Sequence, residues 1–138
     1  MSRRFDYGSS VGTMDVTGRV TAHMGLIEAR TLRQRALGLM GPEIDRLPPD
    51  AGVLFRGCTC VHTFGMRGAI SLIWISEGAS PAAAPHVVSY DAQIQPNRVI
   101  WGPRGADGVI ETAPLDKVTG CEEITDIRIT REVGRNER

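Results

Sequence analysis

The densest group of chemically reactive side chains in the sequence lies in one short segment with two cysteines and a histidine. Cys58, Cys60 and His62 are spaced by two residues, so in a β-strand all three side chains would point to one face. Two thiolates and an imidazole are ligands that zinc and copper prefer. The spacing suggests a metal site that Cys121 or His86 would complete, because a structural zinc ion takes four ligands. The alternative is two small buried thiols and a hydrogen-bonded histidine.

The same segment could supply a nucleophile, since a thiolate becomes reactive when a base lies within hydrogen-bond reach. The candidates are Cys58 or Cys60 as the thiol, His62 or His86 as the base, and Glu111 or Asp91 as the group that orients the imidazole. The residues around them match no local signature of a known cysteine protease. The sequence therefore favours a protein that is not an enzyme.

Short apolar segments rich in β-branched residues surround this cluster and predict the strands that must position it. The expected strands are Thr21–Ala29, Val53–Phe55, Ala69–Ile75, His86–Tyr90, Arg98–Trp101, Val109–Glu111 and Asp126–Glu132. Two short helices are expected. One begins at a capping box on Thr31 and ends at Gly41, and the other runs from Pro114 to Val118.

This element pattern predicts an α+β, mainly β fold, a compact single domain with a curled sheet or half-open barrel of short strands and two short helices. Residues 1–18 are expected to form an N-terminal arm or an irregular strand, 19–133 the globular domain and 134–138 a polar tail. Trp74 and Trp101 are expected in the core rather than as stacking platforms.

Composition limits the function classes. The chain has 138 residues, 41% of them hydrophobic and 23% charged, with a formal net charge of zero. A neutral balance argues against a nucleic-acid partner, and the lack of a long apolar run argues against membrane insertion. The N-terminal residues show no apolar region of a secretory signal, and three cysteines favour a reducing compartment. We therefore expect a soluble protein in the cytoplasm or within a macromolecular assembly.

Two further features predict little chemistry. The glycines Gly102, Gly105 and Gly108 do not precede a long helix, so a phosphate-binding loop is not indicated. A basic patch could form from Arg33, Arg35, Arg128 and Arg131, but acidic residues along the chain favour a mixed, solvated surface.

Three blocks of the sequence resemble the family called domain of unknown function 192. They are Leu37–Gly41, Leu47–Phe55 and Cys58–Arg67, the last containing Val-His-Thr-Phe-Gly-Met-Arg. A looser similarity runs from Val109 to Gly120, and the whole resemblance spans roughly residues 20 to 130. The residues that match recurring motif positions of the family are Arg35, His62, Thr63, Met66 and Glu111.

The resemblance implies a compact, mainly β fold with short helices, and it names no activity because the family is uncharacterised. The chain departs from the family at Gly68–Ser71, where an aromatic residue, Pro, Ile and Asp are usual. Ser71 therefore stands where the family carries an acidic group. Many relatives also carry an export signal, which we do not expect here.

Together these observations favour a non-catalytic module, without cofactor, that docks on other proteins as a structural or accessory subunit of a larger assembly such as a virion or a pilus-like machine. Its partners would be other protein subunits, in a homo- or hetero-oligomer. One alternative is a small-ligand-binding protein or enzyme with a pocket near Arg35, His62 and Glu111. Another is a metal-binding protein that uses Cys58, Cys60 and His62.

Overall fold

A computed structural model describes residues 8–29, 51–64, 66, 68–77, 84–115 and 123–131. Nine strands run through these residues. They are β1 (Gly8–Thr17), β2 (Thr21–Ala29), β3 (Ala51–Arg56), β4 (Cys60–His62), β5 (Ile70–Ser76), β6 (His86–Ile94), β7 (Val99–Trp101), β8 (Gly108–Thr112) and β9 (Asp126–Arg131). The protein is mainly β, as the sequence predicts.

Seven of the strands form one sheet in the order β6-β5-β8-β3-β2-β1-β9. β2 and β3 are parallel, and the other neighbours are antiparallel. The two edge strands, β6 and β9, come close to each other, so the sheet curls into a half-open barrel. The remaining strands, β4 and β7, form a separate two-stranded ribbon.

The central strands β3, β5 and β8 are buried on both faces of the sheet. On β3, Leu54 packs in one hydrophobic cluster while its neighbours Val53 and Phe55 pack in another. Such alternation follows from the two-residue period of a strand. The first cluster, which includes Leu54 and side chains from β1, β2 and β9, lies inside the curl and is called the inner cluster. The second, which includes Val53 and Phe55, lies on the outer face of the sheet and is called the outer cluster.

The ribbon of β4 and β7 covers the outer face of the central strands. Val61 of β4 is buried in the outer cluster, and Ile100 of β7 packs against it. These two residues are directly paired across the ribbon, so their side chains share its inner face. The ribbon is therefore a second layer that shields the sheet from solvent.

Of the two forms expected for residues 1–18, an arm or an irregular strand, the described residues of this segment form a strand. Gly8–Thr17 is β1, an irregular strand with a bulge between Ser10 and Gly12, and it lies between β2 and β9 within the sheet. Its Met14 and Val16 are buried in the inner cluster, so β1 contributes to the core. An apolar residue at every second position, between polar ones, is the signal that marks such a strand.

The two expected helices fall on parts of the chain that the structure mostly leaves undescribed. The first lies wholly outside the described residues, and of the second only Pro114 and Leu115 are described, neither of them helical. Both helices stay predictions. No helix within the described ranges is long and apolar enough to cross a membrane.

Candidate interaction surface

The outer side of the β4–β7 ribbon gathers exposed apolar and aromatic side chains. Cys60 pairs directly with Trp101, and His62 with Val99, so these four side chains share the face that points away from the sheet. Phe64 follows β4 and stacks on His62, with ring centroids 5.3 Å apart and planes inclined by 26°. We call these five residues the ribbon face.

The ribbon face holds most of the large hydrophobic surface that the described residues expose. Trp101 is 72% exposed, Phe64 50% and Val99 48%. The fourth exposed large hydrophobic residue in the described part of the chain is Val20, at 52%, in the connection between β1 and β2. Three of four such residues are thus concentrated in one small element.

The exposure of Trp101 corrects the expectation that both tryptophans are core residues. Trp74 is 1% exposed and belongs to the outer cluster, as expected. Trp101 lies on the solvent side of the ribbon, which covers the outer face of the sheet. The run Val99-Ile100-Trp101 is apolar at every position, so its sequence carries no alternation that would separate the inner face from the outer.

The ribbon is anchored to the sheet by a close approach of Gly102 to Trp74. A Cβ atom on Gly102 would lie 2.7 Å from Cζ3 of Trp74, so only glycine fits over the ring. The amide of Gly102 donates to the carbonyl of Thr59 at 2.8 Å and extends the ribbon pairing by one residue. The indole Nε1 of Trp74 donates to Oδ2 of Asp91 at 3.2 Å, which fixes the ring that supports the ribbon.

Thr63 fixes the other end of the ribbon. Its side chain is fully buried, and its Oγ1 donates to the carbonyl of Gln95 at 2.8 Å and accepts from the amide of Arg98 at 2.9 Å. The Thr63 carbonyl accepts from the amides of Asn97 and Met66. Asn97 has a φ of 67°, a left-handed conformation that asparagine tolerates. Thr63 therefore holds the tight turn that leads into β7.

Replacing Thr63 by valine is expected to lower the free energy of unfolding by about 1–3 kcal/mol, because the carbonyl of Gln95 and the amide of Arg98 each lose the hydroxyl that they bond in a part-buried turn. Thr63→Ser keeps the hydroxyl and should lose only about 1 kcal/mol, for the missing methyl group. Urea denaturation of the wild type and the two variants measures these changes in the free energy of unfolding. Equal stability of the two would contradict the role assigned to the hydroxyl.

The remaining predicted site residues that the structure describes lie on two sides of the ribbon. Met66 is buried in the outer cluster. Glu111 is also buried, and it pairs with Val53 and Leu72, which places it on the sheet face that this cluster covers. His62 is exposed on the opposite side of the ribbon layer. Arg35 lies outside the described residues.

The two cysteines of the segment differ in environment. Cys58 packs against the outer cluster, and its thiol donates to the carbonyl of Cys60 at 3.2 Å. Cys60 is half-buried on the ribbon face. Within the described ranges, no group of three or more His, Cys, Asp and Glu side chains is arranged to hold a metal ion. Cys58, Cys60 and His62 are all described and form no such group.

An ion-pair network lies where β3 leads into the ribbon. Nε of Arg56 donates to Oε2 of Glu28 at 2.9 Å, and its Nη1 donates to Glu77. Burial by itself would lower the pKa of Arg56, but the charges and hydrogen bonds of both glutamates outweigh it and raise that pKa above its ordinary value. The amide of Gly57 donates to the carbonyl of Asp107 at 2.8 Å, which fixes the start of the ribbon segment.

Ser71, which stands where the resemblance places an acidic group, has a structural role here. It is fully buried, and its hydroxyl donates to the carbonyl of Ala92 at 2.6 Å and accepts from the amide of Leu115 at 3.0 Å. One small hydroxyl thus joins β5, β6 and the segment after β8. Sequence reasoning missed this role because both partners are distant in the chain.

Ser71→Ala is expected to lower the free energy of unfolding by about 1–3 kcal/mol, since it removes both hydrogen bonds from a buried site. Ser76→Ala at the end of the same strand is the matched control, and it should stay within about 0.5 kcal/mol of the wild type. Thermal unfolding followed by circular dichroism measures both. The assigned role fails if the two variants are equally stable.

Comparisons with known proteins support the fold and go no further. No family model matches the chain, and no curated protein matches it. Among solved structures, a protein of unknown function from Novosphingobium aromaticivorans is 17% identical, with a TM-score of 0.64 over 86% of this chain and 84% of that one. A candidate transcription regulator from Sinorhizobium meliloti is 16% identical, with a TM-score of 0.68 over 91% of this chain and 98% of that one. At such identities the likeness shows a shared fold alone.

Proposed function

We propose that this protein is a non-catalytic docking module that binds another protein through the ribbon face, as a structural or accessory subunit of a larger assembly. The observation that carries the proposal is the concentration of Trp101, Phe64 and Val99 on one exposed face. Aromatic residues are enriched at protein interfaces, and tryptophan is one of the residue types enriched among those that dominate the binding energy.

The support beneath the ribbon face favours the same function. Gly102 rests on Trp74, and Thr63 fixes the turn into β7, so the backbone that carries Trp101 is held at both ends. A surface that is already ordered loses less conformational entropy when a partner binds. A rigid presentation of exposed aromatic side chains is what a docking surface requires.

The two alternatives receive no comparable support. A pocket that combines His62 with Glu111 would have to bridge the ribbon layer that separates them. A metal site would need Cys58 on the ribbon face, whereas Cys58 packs against the outer cluster. The resemblance to the domain of unknown function 192 family stays a prediction and names no activity.

The proposal is tested by isolating the tagged protein from the cells that produce it and identifying by mass spectrometry the proteins that travel with it. Three forms are compared: the wild type, Trp101→Ser, and Val20→Ser as a control that removes an exposed apolar side chain elsewhere. We expect the wild type and Val20→Ser to retain the same partner and Trp101→Ser to lose it. Retention of that partner by Trp101→Ser would overturn the proposal.

A further inference from the structure

We propose that the partner is an extended, acidic protein segment that adds as a strand to the outer edge of β7. This inference rests on the proposed function, because it assigns a chemistry and a binding mode to the partner of the ribbon face. It is carried by the backbone pattern of the ribbon and by the distribution of charge around it.

The hydrogen bonds of the ribbon leave one edge of β7 open. The amide of Gly102 donates to the carbonyl of Thr59, and the amide of Thr63 donates to the carbonyl of Arg98. In an antiparallel ladder this places Val99 and Trp101 at positions whose backbone groups point away from the partner strand. Among the described residues, no strand pairs with β7 on that side.

The corresponding edge of β4 is less available. The carbonyl of Cys60 lies on that edge and already accepts a hydrogen bond from the thiol of Cys58. The edge of β7 instead presents the N–H groups and carbonyls of Val99 and Trp101. These four groups form no hydrogen bond with any described residue. Rows of such groups are templates for an added strand.

The side chains beside this edge set the character of the added strand. Val99 and Trp101 both point to the ribbon face, so the residues of a new strand that lie next to them share that face. Apolar side chains at alternate positions of the partner would cover the exposed valine and the indole ring. The opposite side of the added strand would carry its polar residues.

Charge around β7 favours an acidic partner. Residues 92–106 contain no Asp or Glu, and residues 51–76 contain none either. Arg98 and Arg104 flank β7, are exposed, and form no salt bridge with any described residue. The acidic residues that bound the 92–106 segment, Asp91 and Asp107, accept hydrogen bonds from the Trp74 indole and the Glu77 amide. Those hydrogen bonds leave both carboxylates charged, but the charged residues next to β7 in the chain are Arg98 and Arg104, and both are positive.

Two other occupants fit the same observations less well. A second copy of this chain in a symmetric antiparallel contact would bring Arg98 of each copy towards Arg104 of the other, which like charges disfavour. A nucleic acid matches the charge, but the regular repeat along its backbone is of phosphate oxygens, which only accept hydrogen bonds and cannot pair with the carbonyls of Val99 and Trp101. A peptide strand supplies both donors and acceptors.

The partner chemistry is tested by selecting short linear peptides from a random library displayed on phage, with the purified wild type and with an Arg98→Glu/Arg104→Glu variant. We expect the wild type to enrich peptides that combine carboxylates with apolar residues at alternate positions. The variant should enrich a different, basic set and should bind the first set about tenfold or more weakly. Enrichment of neutral or basic peptides by the wild type would overturn the proposal, as would tighter binding of single-stranded oligonucleotides than of acidic peptides.

The binding mode is tested on one enriched peptide by methylating its backbone amides one at a time. Strand addition predicts that methylation at every second residue lowers the affinity about tenfold or more and that methylation between them has little effect. A loss of affinity that does not alternate from one residue to the next would overturn strand addition. The proposed function fails on a different result, namely that the Trp101→Ser protein keeps its cellular partner. If methylation shows no two-residue period but Trp101→Ser still loses the partner, strand addition is wrong and the ribbon face remains the docking surface.

Discussion

Trp101→Ser should weaken binding of the protein partner by about thirtyfold or more, because truncating a central aromatic anchor commonly costs about 2 kcal/mol or more of binding energy. The same change should leave the free energy of unfolding within about 0.5 kcal/mol of the wild type, because the side chain is 72% exposed in the unbound protein. Isothermal titration calorimetry with the purified partner measures the affinity, and urea denaturation measures the free energy of unfolding.

Val20→Ser is the control for Trp101→Ser, since Val20 is also exposed but lies in the connection between β1 and β2. Its affinity should match that of the wild type. If the two variants bind the partner equally well, the ribbon face is not where the partner docks. If Trp101→Ser unfolds at much lower urea concentration, the loss of binding would be a loss of fold and the anchor role would be contradicted.

Trp74→Ala is expected to lower the free energy of unfolding by about 3–5 kcal/mol, the usual range for removing a buried tryptophan. Trp74 is 1% exposed, donates a hydrogen bond to Asp91 and carries Gly102 on its ring. Its loss would also remove the support of β7, so partner binding should fall together with stability. Chemical denaturation followed by circular dichroism measures the stability change.

Trp74→Phe is the matched variant for Trp74→Ala because it keeps an aromatic ring beneath Gly102 and removes the indole N–H that Asp91 accepts. It should retain more stability than the alanine variant and keep the partner. An alanine variant that is as stable as the phenylalanine variant would show that the ring does not support the ribbon.

Most of the strands could be predicted from the sequence because local patterns determine them. Thr21–Ala29 and Ile70–Ser76 combine β-branched residues with bounding turns, and the expected strands lie within one or two residues of the observed ones at those places. At the C-terminal strand the alternation holds, with Ile127 buried and Arg128 exposed. Burial of β3 and β5 on both faces follows from the apolar runs Val53–Phe55 and Leu72–Ile75.

The ribbon and its exposed face could not be predicted in the same way. β4 has three residues and pairs with β7, whose position in the chain is about forty residues later, so no local pattern links them. The sequence draws attention to the segment from Cys58 to Met66 through its thiols and imidazole, whereas the structure gives roles in the fold and on the surface to other residues of that segment. The hydroxyl of Thr63 fixes a turn, and the exposed Phe64 completes the surface. These roles depend on contacts that the sequence does not display.

Hydroxyl-radical footprinting of the protein alone and in its native complex, read by mass spectrometry at single residues, tests whether the partner covers the ribbon face. We predict that Trp101 and Phe64, which are exposed in the protein alone, lose most of their labelling when the partner is bound, while Val20 keeps its labelling. Unchanged labelling of Trp101 and Phe64 in a complex that has formed would show that the partner binds elsewhere.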